Sequence, residues 1–470
     1  MAGPDEGPRP RVEPGGGNSL GVRDRASLIH PYTDLRAHEQ AGPLVITGGD
    51  GVTVTDDAGN RYIDAMAGLW CASLGFSEPR LAAAAKRQME TLGFYHLFSG
   101  KSHAPAIELA ERLLAMVPAP FARVFFANSG SEVVDTAIKL AWYANNALGR
   151  PAKKKIISRR RAYHGVTIAA ASLTHLPVNQ TGFDLPLAPM LATDCPHFYR
   201  EGQPGESEAD FTHRLAASLD RLITEQGPET IAAFIAEPVM GAGGVIVPPA
   251  GYFQAIQPVL AKHDVWLIAD EVICGFGRTG NMFGCETFGI EPDMMVLAKA
   301  LSAGHAPISA LLVSREIYEA LADKSAEVGS FGHGFTYSAH PLSAAVALET
   351  LKIYAERDIL AQVRETAPLL QKGLGALAGH PLVGEVRGIG LIGAVELVAD
   401  KETRRPFDPP GRIGPAVVRA AQDEGLITRA LGDAIAFSPP LIISPAEIDA
   451  VLERFGRALD RVAAELASGR

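Results

Sequence analysis

Five short runs constrain this chain more than anything else in it: Arg123–Ala127, Lys155–Ser158, Ile231–Ala236, Val265–Asp270 and Met294–Ala298. A strand with one solvated face alternates polar and apolar residues, whereas these runs are nearly all apolar, as expected of strands covered on both faces. Segments at helical spacing lie between them. In Glu132–Leu148, for instance, Val133, Ala137, Leu140, Ala144 and Leu148 recur three or four residues apart, which places them on one helix face. Strand and helix in alternation predict βαβ units, hence an α/β fold built on a large, mostly parallel sheet.

After about Ser338 the pattern changes. Leu342–Arg357 and Asp358–Leu377 read as helices, and short strands surround GEVRGIGLIGAVELV, which predicts a second, smaller α+β domain. VTDDAGNRYIDAMAG reads as a hairpin, with Gly51 and Asp57–Asn60 supplying turns, and is expected to join that C-terminal part. The division expected is a disordered leader over 1–25, the first part of the small domain over 26–75, the large domain over 76–337 and the rest of the small domain over 338–470. The opening MAGPDEGPRPRVEPGGGNSLG is Gly, Pro and charge, too little apolar surface to offset the entropy of ordering. At roughly 150 residues per domain, 470 residues suffice for two.

Charge and cysteine content exclude several partners. Lys and Arg number 43 against 53 Asp and Glu, a net charge of −10, so the general attraction of a basic protein to nucleic acid or anionic membrane is missing. KKKIISRRR is a local basic run, read as solvated charges bracketing a buried strand. The longest uncharged stretch, Pro238–Ala261, is broken by four glycines and by Pro248, Pro249 and Pro258, reads as a loop with a short helix and is not expected to span a membrane. Cys71, Cys195, Cys274 and Cys285 have neither disulfide-framework nor CxxC spacing, so no metal is expected and a reducing, cytoplasmic compartment fits.

Chemistry gathers where apolar strands end. FFANSGSEVVD places Ser129, Gly130 and Ser131 between a strand and a helix, a geometry that either cradles phosphate or simply caps the helix. Asp270 and Glu271 stand at the end of VWLIAD, where open α/β sheets bind ligands. GFGRTG, Gly275–Gly280, matches GxGxxG and opens an alternative, a nicotinamide-dependent dehydrogenase; four residues separate it from the strand and no helix pattern opens at Gly280, which counts against that reading. Lys299 follows Val296-Leu297-Ala298. Partial desolvation there lowers an amine's pKa and frees it to form a Schiff base, the alternative being an ordinary structural lysine. Tyr163 in RAYHG either stacks on a flat ring or packs, and GSFGHGFTYSAHP offers close backbone approach and the hydroxyl of Thr336.

In this combination and order, and above all in DEVICGFGRTGNMFGCETFGIEPDMMVLAKALSAGHAP, the chain resembles the class III aminotransferases of pyridoxal-phosphate fold type I, from about Asp34 to the C-terminus. The resemblance implies a seven-stranded large-domain sheet and pyridoxal 5′-phosphate as cofactor. It further implies that Lys299 forms the Schiff base and shuttles a proton, and that Asp270 pairs with the pyridinium nitrogen. Tyr163 and Val272 would cover the two ring faces, Ser129, Gly130 and Ser131 would hold the phosphate, and Glu237 would orient from behind. Thr336 would reach the phosphate of a second subunit, implying a homodimer with active sites at the interface.

Members of the family acting on ω-amino acids carry a Glu five residues after the EP glutamate; here that place holds Ala242, leaving Arg429 in ITRALGD unmasked. With GLWCASLG and FGHGFTYSAHP this resembles (S)-selective amine–pyruvate transaminases. The resemblance implies a substrate pocket of Leu69, Trp70, Tyr163, Ala242, Ile273, Arg429 and, from the partner, Phe98, although core packing is the plainer reading of Trp70. The reaction implied moves an amino group from a primary amine to pyruvate, giving alanine and a ketone or aldehyde; a β-alanine or ω-amino acid donor is the alternative.

Overall fold

The computed structural model describes residues 19–118 and 121–468. The expected leader lies outside the described residues up to position 18. Beyond that the expectation of disorder is corrected: Leu20–Ser27 is a helix, capped by the Ser19 side chain accepting from the Val22 N–H. Its Arg25 donates to the carbonyl of Glu39 at 3.1 Å, tying it to the next helix, Leu35–Ala41.

Three antiparallel strands follow, β1 (Ile46–Asp50), β2 (Thr53–Asp56) and β3 (Arg61–Asp64). The large sheet has seven strands: β4 (Phe121–Ala127), β5 (Lys155–Arg159), β6 (Met190–Thr193), β7 (Ile231–Ala236), β8 (Trp266–Asp270), β9 (Met294–Leu297) and β10 (Ser309–Ser314). Their order is β4-β10-β9-β8-β7-β5-β6, and β10 alone runs against its neighbours. All five strands expected from apolar runs are in it. The sequence reading missed β6, which has four residues, and β10, which a Gly- and Pro-containing turn precedes.

Period two along the buried strands divides the core. Leu267 and Ala269 of β8, with Met295 and Leu297 of β9, face Phe253, Ile256 and Leu260 on one side. Trp266 and Ile268, with Met294 and Val296, face Val133, Ala137, Leu140 and Ala144 of the helix Gly130–Ala147 on the other. Each such aliphatic side chain contributes about 1.5–3 kcal/mol by leaving water, and together they hold the strand ends in register.

The C-terminal part contains β11 (Val383–Ile389), β12 (Ile392–Leu397), β13 (Leu426–Ile427), β14 (Arg429–Leu431) and β15 (Ala434–Phe437). Four of these form an antiparallel sheet, β11-β12-β15-β14, while β13 pairs in parallel with β3, Leu426 opposite Ile63. That pairing joins the N-terminal meander to the C-terminal part. Among the described residues no helix is long and apolar enough to cross a membrane; Pro238–Ala261 is a loop leading into the helix Tyr252–Lys262.

Candidate active site

The carboxyl ends of β4, β5, β7, β8 and β9 lie along one edge of the sheet, and the segments that leave them build a pocket. Gly130, Ser131, Tyr163, Glu237, Asp270 and Lys299 all line it. Val272 and Ile273 line it too, as do His164 and Gly165.

At the β4 end, Ser129 caps the helix Gly130–Ala147 in a reciprocal box. Its hydroxyl accepts from the Glu132 N–H at 3.2 Å, and the Glu132 carboxylate accepts from the N–H groups of Asn128 and Ser129. Ser309 of β10 fixes the same turn by donating to the Ser129 carbonyl at 2.8 Å. The helix N-terminus, with its free N–H groups and positive dipole end, thus presents Gly130 and Ser131 to the pocket. A Cβ on Gly130 would lie 3.3 Å from Val272 Cγ1, so the absence of a side chain lets Val272 and the cradle share one wall. Ser131 Oγ accepts from the Val166 N–H at 3.0 Å and retains its own proton to donate.

Asp270 ends β8 fully inside the protein. One oxygen accepts from the Val272 N–H at 3.1 Å; the other lies 2.7 Å from His164 Nδ1. A carboxylate only accepts, so the imidazole proton sits on Nδ1, and Nε2 is left buried without a partner. Glu237 braces the neighbouring turns, accepting from the Tyr163 N–H at 3.1 Å and the Gly241 N–H at 2.9 Å. Burial raises its carboxyl, against the opposing influence of His164 and Arg159.

Lys299 follows β9 in a left-handed conformation, φ +46°, a strain seen where a site dictates the backbone. Its amine makes no hydrogen bond to the described residues. Burial lowers its pKa, offset in part by the nearby Cys71 thiol, Asp270 and Glu237. An unpaired amine, a carboxylate held by a histidine and a helix N-terminus with a free hydroxyl are the three groups that pyridoxal phosphate requires: a carbonyl-reactive amine, an anion for the ring nitrogen and donors for the phosphate. The residues fit that cofactor.

The expected substrate residues distribute unevenly. Ile273 lines the pocket and packs with Trp70. Trp70 is 3% exposed, a core residue, yet it stands at φ +65° beyond a turn in which Ala67 and Gly68 also have positive φ. Leu69 beside it is exposed. Ala242 is half-buried in the loop that Glu237 holds through Gly241. Arg429 opens β14, and among the described residues no carboxylate pairs with it; burial lowers its pKa, opposed by Tyr163 and Tyr32. Phe98 and Thr336 are exposed and do not line the pocket of their own chain.

The sequence reading passed over His164, although it adjoins Tyr163, because nothing local reveals its partner 106 residues away. It also missed Tyr32, at φ +52° in a loop with no apolar pattern. The Tyr32 hydroxyl meets that of Tyr163, which with burial pushes the Tyr163 phenol up, and accepts from Asn179 Nδ2 at 2.5 Å. The dinucleotide alternative is overturned. Gly275–Gly280 forms turns, the next helix begins only at Gly284, and Arg278 is buried, donating to the carbonyls of Leu391 and Pro439 at 2.9 and 2.6 Å.

Comparison with known proteins agrees. The "Gamma aminobutyrate transaminase 3, chloroplastic" of Solanum lycopersicum is 52% identical over 433 residues, 92% of this chain and 83% of the relative. "Probable gamma-aminobutyrate transaminase 2, mitochondrial" of Oryza sativa subsp. indica is 50% identical over 434 residues, 92% of this chain and 87% of the relative. The crystal structure of the omega transaminase from Pseudomonas jessenii in complex with PMP superposes with a TM-score of 0.95 at 55% identity, covering 96% of this chain and 100% of that one. The family profile "Aminotransferase class-III" matches residues 35–459, and the chain belongs to the class III aminotransferases, which work with pyridoxal 5′-phosphate.

Proposed function

We propose that this transaminase moves the amino group of a primary amine to pyruvate, giving alanine and a ketone or aldehyde. The chemistry that pyridoxal phosphate supplies when bound is an electron sink for charge developing at the substrate carbon. Lys299 would hold the cofactor through Nζ and would take the proton from the substrate carbon; burial lowers its pKa, which favours the amine acting as a base. Asp270, oriented by His164, would pair with the ring nitrogen. Ser131 and the N–H groups at the helix start bind the phosphate, with Ser129 setting their position as the cap. Tyr163 and Val272 bound the ring, and Glu237 fixes the Tyr163 backbone.

The observation that carries the acceptor is Arg429. A half-buried guanidinium that does not line the pocket itself but acts electrostatically on Tyr163 and Lys299, paired with no carboxylate among the described residues and with Ala242 where an ω-amino acid enzyme would mask it, is a receptor for the carboxylate of a small keto acid. Leu69, Trp70 and Ile273 supply the apolar wall for the amine. A second donor, 4-aminobutyrate, is favoured by the relatives named for it; its carboxylate would use Arg429 in the amine half-reaction as well.

Phe98 and Thr336 belong in this reading to the site of a second subunit. A Cβ on Gly334 would lie 2.8 Å from the Phe98 ring, so the two segments sit together, and Phe94, Tyr95, Phe98 and Tyr337 leave an exposed aromatic surface of the kind that closes a homodimer. Residues 26–75 and 338–470 act as one small domain, a reading the β3–β13 pairing supports. The four free cysteines accord with a reducing, cytoplasmic setting. Incubation with pyruvate and either (S)-1-phenylethylamine or 4-aminobutyrate, followed by alanine analysis, tests the proposal. Alanine with acetophenone is expected; turnover with 2-oxoglutarate but none with pyruvate would refute the acceptor. Lys299→Ala should abolish both reactions.

A further inference from the structure

Among the described residues, two groups outside the pocket bring three histidine and carboxylate donors together. His197, Glu385 and Glu396 form the first, but arginines already neutralise it. Arg387 Nη1 is 2.5 Å from both glutamates and Arg200 Nε is 2.6 Å from Glu396. The second consists of Asp24, His30 and His38. Here Nε2 of His30 lies 2.9 Å and Nε2 of His38 3.1 Å from the same oxygen, Asp24 Oδ1, and the imidazole centroids are 4.2 Å apart. Among the described residues no lysine or arginine pairs with Asp24.

We propose that Asp24, His30 and His38 form a zinc site that fastens the N-terminal segment beside the active site. Two imidazole nitrogens and one carboxylate oxygen are a donor set suited to Zn²⁺ or its transition-metal neighbours, not to Mg²⁺ or Ca²⁺, which take oxygen ligands. The three donor atoms lie within 4.8 Å of one another. Bonds of about 2.0–2.1 Å put tetrahedral ligand atoms about 3.3–3.4 Å apart, so the two histidine–aspartate spacings of 2.9 and 3.1 Å need to open by only a few tenths of an ångström. With neutral imidazoles the cluster carries one negative charge, and each ring would ligate the ion through Nε2 with its single proton moved to Nδ1, so charge and protons balance without net proton release. Side-chain exposures of 15, 29 and 10% give the ion a route in and water a fourth position.

The placement gives such a site a consequence. Asp24 is in the helix Leu20–Ser27, His38 in the helix Leu35–Ala41, and His30 in the loop between them. That loop also carries Tyr32, whose hydroxyl meets Tyr163 and Asn179 beside Arg429. An ion cross-linking the three ligands would hold Tyr32 in its strained turn.

The test uses the full chain without a histidine tag, stripped with chelator and titrated with Zn²⁺ against a chromogenic competitor. One equivalent is expected to bind, with a rise in Tm, and Co²⁺ should give the d–d bands of a low-coordinate site. His30→Asn/His38→Asn should lose more than roughly 100-fold in affinity, beyond what losing an outer-shell partner costs. Asp24→Asn, which keeps shape and a hydrogen-bond acceptor, should weaken binding and abolish the Tm rise if the double variant proves unstable. No zinc uptake by the wild type at micromolar metal, or equal uptake by wild type and variants, would overturn the site and leave Asp24 as a hydrogen-bonded bridge between two imidazoles.

Discussion

His164 Nδ1 lies 2.7 Å from Asp270 Oδ2, both side chains being buried, and this contact joins the turn after β5 to the end of β8. It fixes the orientation of the Asp270 carboxyl. His164→Leu removes the donor and leaves that oxygen buried and unpaired, at a cost of about 1.5–3 kcal/mol. Urea denaturation of the apoprotein should report that loss, and cofactor affinity should fall with it. Unchanged stability and affinity would show that Asp270 is held adequately by the Val272 N–H.

Gly165 has φ +132°, and a Cβ there would stand 2.7 Å from Ser131 Oγ and 2.8 Å from Ser131 Cα. Backbone cannot swing aside as a side-chain tip can. Gly165→Ala should therefore displace Ser131 and raise the dissociation constant for pyridoxal phosphate at least ~10-fold, the equivalent of one lost hydrogen bond of about 1.4 kcal/mol. Equilibrium titration of the apoprotein measures it; wild-type affinity in the variant would remove Ser131 from the phosphate cradle.

Glu271 is fully buried beside Asp270, accepting from the N–H groups of Gly284 and Cys285 at 2.9 and 2.6 Å, and burial pushes its carboxyl up to about 7. In the unfolded chain a glutamate titrates near 4.3. Between these values the folded state binds a proton that the unfolded state has released, so stability falls as pH rises from about 4.3 to about 7 and levels off above. Glu271→Gln should erase that component. The stability difference between variant and wild type should grow by up to about 4 kcal/mol across the window, as read by urea unfolding at several pH values. A difference that stays constant with pH would mean that Glu271 is already ionised.

Much of the site was legible because its residues sit at the ends of apolar runs. Asp270 ends β8, Glu237 follows β7 directly and Lys299 stands two residues past β9, and a buried parallel strand announces itself by composition. β10 escaped notice because a single six-residue run after a turn resembles any buried segment, yet its Ser309 fixes the Ser129 turn. His164 and Tyr32 were invisible for another reason. Their partners are set by tertiary contact, and no local spacing encodes a histidine meeting an aspartate across the sheet edge. Leu20–Ser27 was misread since composition weighs Gly, Pro and charge but not the capping serine that starts a helix.

The central claim, that Arg429 receives the keto acid, is tested most directly by separating the two half-reactions in single-turnover experiments on Arg429→Ala. A charge-assisted hydrogen bond to the carboxylate contributes about 1.5–3 kcal/mol, so the pyruvate half-reaction should slow by roughly 10- to 150-fold. The half-reaction with 1-phenylethylamine, which has no carboxylate, should stay within about threefold of wild type, since it loses no such bond. Equal losses in both half-reactions would contradict the assignment and make Arg429 a structural residue of β14.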